Sequence, residues 1–124
     1  MQTVDVLGTA YTIEHRKAID DPKLINAGGY CDHSIALIVI DAESHEDDPD
    51  VIHDMDVWKR KALRHELVHA FLFESGLHDY SNDETLVDWI AAQMPKLADA
   101  MAALGCLAAD GRLIKAGCAA RSIS

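Results

Sequence analysis

Two histidines and a glutamate carry the clearest chemistry in this sequence: His65-Glu66-Leu67-Val68-His69. On a helix, residues four apart stand one turn above each other, so His65 and His69 present two imidazoles on one stripe. A zinc ion accepts imidazole nitrogen at roughly 2.0–2.1 Å, close enough for both rings to share it. Glu66 lies one step away, where its carboxylate can take a proton from an attacking water. The pattern His-Glu-x-x-His is a zinc-protease signature when it lies on a helix.

Two ligands do not complete a catalytic zinc site, which takes three from the protein and keeps one position open. A metzincin would place Gly and His at positions 72 and 75; the chain has Leu72 and Ser75, which excludes that class. Glu84, on a following helix that doubles back, is the candidate third ligand. Asp88 lies four residues on, along the same stripe, where it can accept the free ring N–H of a ligating histidine and fix its tautomer. Glu84 has a competing role, because Ser81-Asn82-Asp83-Glu84 also reads as a capping box with Glu84 at the third helical position. His78 is the rival third ligand. His15, His33, His45 and His53 lack paired spacing and read as solvated.

These residues need a helix, a turn and a second helix over a supporting core. The periodicity places the first helix from between Asp50 and Asp56 to Phe73 or Glu74, closed by Gly76. Its apolar face comprises Leu63, Leu67, Ala70 and Phe71, extended by Val68, Leu72 and Phe73. Val87, Ile90, Ala91, Met94, Leu97, Ala98 and Met101 recur at helical spacing in the second, with Pro95 expected to kink or interrupt it and Gly105 to close it. Ahead of the helices, Val4–Leu7 and Ala10–Glu14 read as a hairpin around Gly8. Pro22–Ala27 reads as a helical turn and Gly28-Gly29 as a flexible bend. Tyr30–Asp32 and the apolar run Ile35–Ile40 read as a second hairpin across His33-Ser34. The resulting fold class is α+β, with a small antiparallel sheet followed by the two helices. Asp110-Gly111-Arg112 is a turn signal ahead of a short strand or tail at Leu113–Lys115.

At 124 residues and 49% hydrophobic, the chain has the size and core of one domain. Its formal charge of −10 argues against broad binding to nucleic acid or anionic membranes, which needs clustered Lys and Arg. Much of the acidity lies between Asp41 and Asp50, read as a solvated loop. The absence of a long apolar run or a signal-peptide pattern leads to the expectation of a soluble cytoplasmic protein. Cys31, Cys106 and Cys118 form no CxxC, which favours free thiols, with Cys31 as a half-buried strand residue.

The paired motifs, His65-Glu66-Leu67-Val68-His69 and Glu84-x-x-Val87-Asp88-x-Ile90-Ala91, resemble the minimal gluzincins related to the ImmA/IrrE peptidases. Gly29-Tyr30-Cys31-Asp32, His69 to Leu77 and Val87 to Lys96 are similar to segments of short phage- and prophage-encoded metallopeptidase-like proteins. Val87 departs from the small residue usual at its position, and nothing after Ala98 matches. The resemblance covers roughly residues 4–97 and implies a zincin-like domain over 1–104 with a C-terminal extension over 105–124. It also implies Zn2+ held by His65, His69 and Glu84, Glu66 as general base, and a protein or peptide substrate. The strand Ile35–Ile40, if at the sheet edge, would hold that substrate by strand addition. His78 and Tyr80 are the candidates for stabilising an oxyanion. The alternative is an inactive or structural zinc-binding interaction module of phage origin.

Overall fold

The computed structural model describes residues 2–43 and 54–108. Most of the acidic stretch, His45, His53, Cys118 and the turn and strand expected beyond Asp110 lie outside them. The chain forms two compact units, Met1–Ala92 and Gln93–Ser124. The first holds four strands, the first helix, a short helical turn and the beginning of the last helix. Among the described residues, no helix is long and apolar enough to cross a membrane.

Strands β1 (Gln2–Val6) and β2 (Thr9–Arg16) form the expected hairpin. Its two-residue turn uses positive φ at both Leu7 (51°) and Gly8 (95°), the geometry that matches the strands' own twist. A 3-10 turn at Pro22–Ile25 follows, started by the Asp21 carboxylate accepting from the Lys23 amide. Strands β3 (Gly29–Asp32) and β4 (Leu37–Asp41) then pair antiparallel. Their connection is a 3-10 turn at His33–Ile35 with Ala36 in the left-handed region, so β4 begins at Leu37 rather than Ile35.

The sheet order is β1-β2-β4-β3, and β2 pairs parallel with β4. The sheet is therefore mixed, not antiparallel, and β4 is interior, not an edge. All five β4 residues are buried, as a strand covered on both faces requires. Ile38 and Ile40 join Val6, Tyr11, Ile13 and Ala70 in one core, while Leu37 and Val39 pack with Leu24 in the other. Asp41, expected in the solvated loop, closes β4 and is buried. Gly28 and Gly29 are sites of close approach instead of a flexible bend. A Cβ on Gly28 would lie 2.8 Å from the Trp58 ring, and one on Gly29 would lie 2.7 Å from the Val39 carbonyl.

Helix α1 (Met55–Glu74) starts where the Asp54 carboxylate accepts from the amides of Asp56 and Val57. It ends in a Schellman motif, with Gly76 at φ 81° and the Leu77 amide donating to the Leu72 carbonyl. Trp58, Ala62, Glu66, Ala70 and Glu74 succeed one another at i+4, and this row, with Leu63 and Leu67 beside it, faces the sheet. Ala70 is buried, Trp58 and Ala62 pack on the core, and Glu74 accepts from Thr9 Oγ1 (2.6 Å) and Tyr11 Oη (2.9 Å). Leu63 and Leu67, expected on the apolar face, also pack on this core, whereas Phe71, one turn beyond Leu67, is exposed.

These two bonds hold the Glu74 carboxyl below the usual glutamate range. A lowered folded-state value means that the stabilisation is present above the unfolded value and is lost as pH falls through the folded one. The melting temperature is expected to drop from roughly pH 5 downward. In Glu74→Gln the neutral-pH stability falls and this acid limb flattens, which thermal melts across the pH range would read.

After a helical turn, α2 (His78–Ser81), helix α3 (Glu84–Ala103) begins with the Asp83 carboxylate accepting from the Leu86 amide. Asp83 is thus the cap and Glu84 the first helical residue, so Glu84 does not sit in the third position of a Ser81 capping box. Helix α3 continues through Pro95 without interruption and closes at Gly105, at φ 72°.

Candidate metal centre

The row beside the sheet-facing one on α1 runs Lys61, His65, His69 and Phe73, also at i+4. Lys61, His65 and His69 of this row line a cleft of about 670 Å³ together with Gly28, Gly29, Tyr30, Cys31 and His33 from the β3 region and Glu84 and Asp88 from α3. The whole cleft belongs to the unit Met1–Ala92.

Within it the two imidazoles turn their Nε2 atoms toward each other, 3.1 Å apart. Glu84 closes the group, with Oε2 2.9 Å from His65 Nε2 and Oε1 2.9 Å from His69 Nε2. The opposite ring nitrogens are both committed. His65 Nδ1 lies 2.7 Å from Asp88 Oδ1, and His69 Nδ1 lies 2.5 Å from the Ser81 carbonyl. A carboxylate and a carbonyl only accept, so each Nδ1 carries a proton, and Nε2 is the atom through which each ring can ligate. The two Nε2 atoms and the Glu84 carboxylate therefore converge on one point.

His65, His69 and Glu84 can therefore hold a metal ion, with one ligand atom from each within 4.8 Å of the others. Ligands about 2.05 Å from a tetrahedral zinc stand roughly 3.3 Å apart, a few tenths wider than the spacing here. The donor set of two imidazoles and one carboxylate also fits zinc. Side-chain exposures of 21%, 12% and 67% for His65, His69 and Glu84 show a group rooted in the fold and open on the acidic side.

Glu66 lies in the same cleft but on the sheet-facing row, only 6% exposed. Its Cγ is 3.4 Å from where a Cβ on Gly29 would stand, so the glycine makes room for it against β3. Burial, reinforced by the nearby Glu84 and Asp88 charges and opposed by His65, pushes its carboxyl up to about 7. That places it in the range where a base can both take and return a proton near neutrality.

The structure brings together His65, Glu66, His69, Glu84 and Asp88 and leaves out the two oxyanion candidates. His78 stacks on Phe73, ring centroids 4.3 Å apart, and neither it nor the exposed Tyr80 lines the cleft. Ser81, read from sequence only as a helix cap, is buried and braces His69 twice, through its carbonyl and through Oγ donating to the His69 carbonyl at 3.0 Å. His33, read as solvated, is half-buried in the cleft wall. No spacing rule marks either residue; Gly29-Tyr30-Cys31-Asp32, which ends next to His33, was the nearest signal. Cys31 and Cys106 are free thiols, and Cys31 is half-buried on β3 as expected. No protein-family model matches the chain, and no curated protein or solved structure matches it significantly.

Proposed function

We infer that this chain is a zinc-dependent metallopeptidase of the zincin type, related to the minimal gluzincins of the ImmA/IrrE group. The observation that carries this reading is the convergence of His65 Nε2, His69 Nε2 and the Glu84 carboxylate beside a buried glutamate in an open cleft. When bound, zinc supplies Lewis-acid polarisation of the scissile carbonyl and a water acidic enough to attack near neutral pH.

The chain's own residues do the rest. His65, His69 and Glu84 hold the ion, while Asp88 and the Ser81 carbonyl keep the two rings in the tautomer that ligates. Glu66 takes the proton from the attacking water and passes it to the leaving amine. Strand addition of the substrate, assigned from sequence to Ile35–Ile40, moves to β3, the edge strand that lines the cleft through Gly29, Tyr30 and Cys31. Glu66 argues against a purely structural zinc, because a structural site needs ligands but no base and is closed by four ligands.

Metal content of the purified, zinc-reconstituted protein tests this reading. One zinc per chain is expected, lost in His65→Ala and weakened in Glu84→Ala. In Asp88→Asn, affinity is expected to fall by roughly 10- to 100-fold, the usual effect of removing an outer partner. A protein that takes up no zinc would end the peptidase reading. Unchanged binding in Glu84→Ala would shift the third ligand to another residue of the cleft.

A further inference from the structure

The geometry points to His33 as the residue that hydrogen-bonds the oxyanion of the peptide-bond transition state, with Cys31 as the residue that sets its tautomer. This assignment rests on the peptidase reading and supplies the group that the motif itself lacks.

The placement of His33 is fixed on several sides. Its ring lies flat on Phe73, centroids 4.0 Å apart and planes 3° from parallel. Phe73 is one turn beyond His69 on the row that carries both metal-ligating histidines, so His33 stands over the same stripe, next along from the metal group. Its Nδ1 is turned to the Cys31 Sγ and the Tyr11 Oη, each 3.4 Å away. With Nδ1 engaged and one face covered, Nε2 is the polar atom that His33 offers to the cleft it lines.

The position of the proton follows from its neighbours. Tyr11 is buried and has one hydroxyl proton, which goes to Glu74 Oε2 at 2.9 Å. Its oxygen is 3.4 Å from His33 Nδ1, long for an N–H···O bond, whose usual separation is about 2.9–3.0 Å. The same separation to sulfur is an ordinary contact, because sulfur is larger. Burial pushes the Cys31 thiol up to about 12, so it keeps its proton. Cys31 S–H therefore donates to Nδ1, and the neutral imidazole carries its own proton on Nε2, facing the cleft. A positioned N–H donor in a partly desolvated site is the device that stabilises developing oxyanion charge.

The other polar side chains of the cleft are less suited. The Tyr30 hydroxyl donates to Asp21 and accepts from Arg16 Nη1 at 3.2 Å. Lys61 and Asn82 are exposed, and among the described residues no hydrogen bond holds either side chain in place.

The test uses the zinc-loaded full chain and has two readouts. Long-range 1H–15N correlation of the imidazole nitrogens, with the His33 signals assigned by their loss in His33→Gln, reads the tautomer without reference to activity. Nε2–H is expected, shifting toward Nδ1–H in Cys31→Ala and retained in Cys31→Ser, whose hydroxyl still donates. Turnover of a tryptic digest of casein is expected to fall about 10²- to 10³-fold in kcat in His33→Ala, with KM and zinc content little changed. His33→Gln, which keeps an N–H, recovers part of that loss. An Nδ1–H tautomer in the wild-type protein overturns the assignment. So does full activity in His33→Ala when Glu66→Gln is inactive and both bind zinc. Failure to bind zinc, or zinc binding without turnover of any peptide in the digest, instead sinks the underlying peptidase reading and His33 with it.

Discussion

Glu66→Gln is expected to bind zinc as the wild-type protein does and to lose turnover by about 10²- to 10⁴-fold, the range that a positioned general base contributes. The substitution nearly preserves shape, so the close fit against Gly29 survives. What disappears is the ability to accept the proton of the attacking water. Stability should hold or rise, because burial already disfavours the ionised carboxylate at this position and an amide removes that conflict. This combination separates the readings. An enzyme keeps its metal and its fold and stops turning over. A structural zinc protein or an interaction module keeps every property it had. A Glu66→Gln protein that loses zinc would instead show that Glu66 shapes the metal group itself.

The parts of the site that sequence made legible are those set by helix geometry. An i, i+4 pair of histidines needs only a helix to meet, and His65 and His69 do. Glu84 and Asp88 are another i, i+4 pair, and one helix stripe delivers the first to both Nε2 atoms and the second to His65 Nδ1. The residues that sequence missed depend on contacts between elements. His33 enters the cleft because β3 lies along α1 and a 3-10 turn follows it, and its partners Tyr11, Cys31 and Phe73 come from three different elements. Ser81 matters through its backbone carbonyl, which no side-chain pattern records.

The fold shows the same division. The hairpin at Leu7-Gly8, the two helices and their glycine ends follow from local propensity and capping, and they are where the sequence placed them. Strand order does not follow from local signals. A short link between Arg16 and Gly29 allows either a meander or a crossover, and the chain takes the crossover, which inserts β4 between β2 and β3. The run Leu37–Asp41, buried on both faces, marks an interior strand, since an edge strand would leave one side partly wet. That placement matters for the proposed function, because it frees β3 to be the edge along the cleft.

Zinc removal should be the largest single change in stability available to this protein. His65 and His69 lie on α1 and Glu84 opens α3, so one ion cross-links segments that must otherwise be held by their own packing. The ligand atoms of the two segments already stand 2.9–3.1 Å apart, so the ion can bind with little rearrangement. A ligand that binds only the folded state, at about a thousand times its dissociation constant, stabilises by roughly 4 kcal/mol. For a chain of this length that corresponds to a melting temperature higher by about 10–20 °C. Thermal melts with zinc and with a chelator should therefore differ by that amount in the wild-type protein, by little in Glu84→Ala, and not at all in His65→Ala. The shift should shrink as pH falls, because both imidazoles must give up any Nε2 proton before they can ligate. An equal zinc shift in wild type and His65→Ala would place the ion elsewhere and remove the structural basis for the catalytic reading.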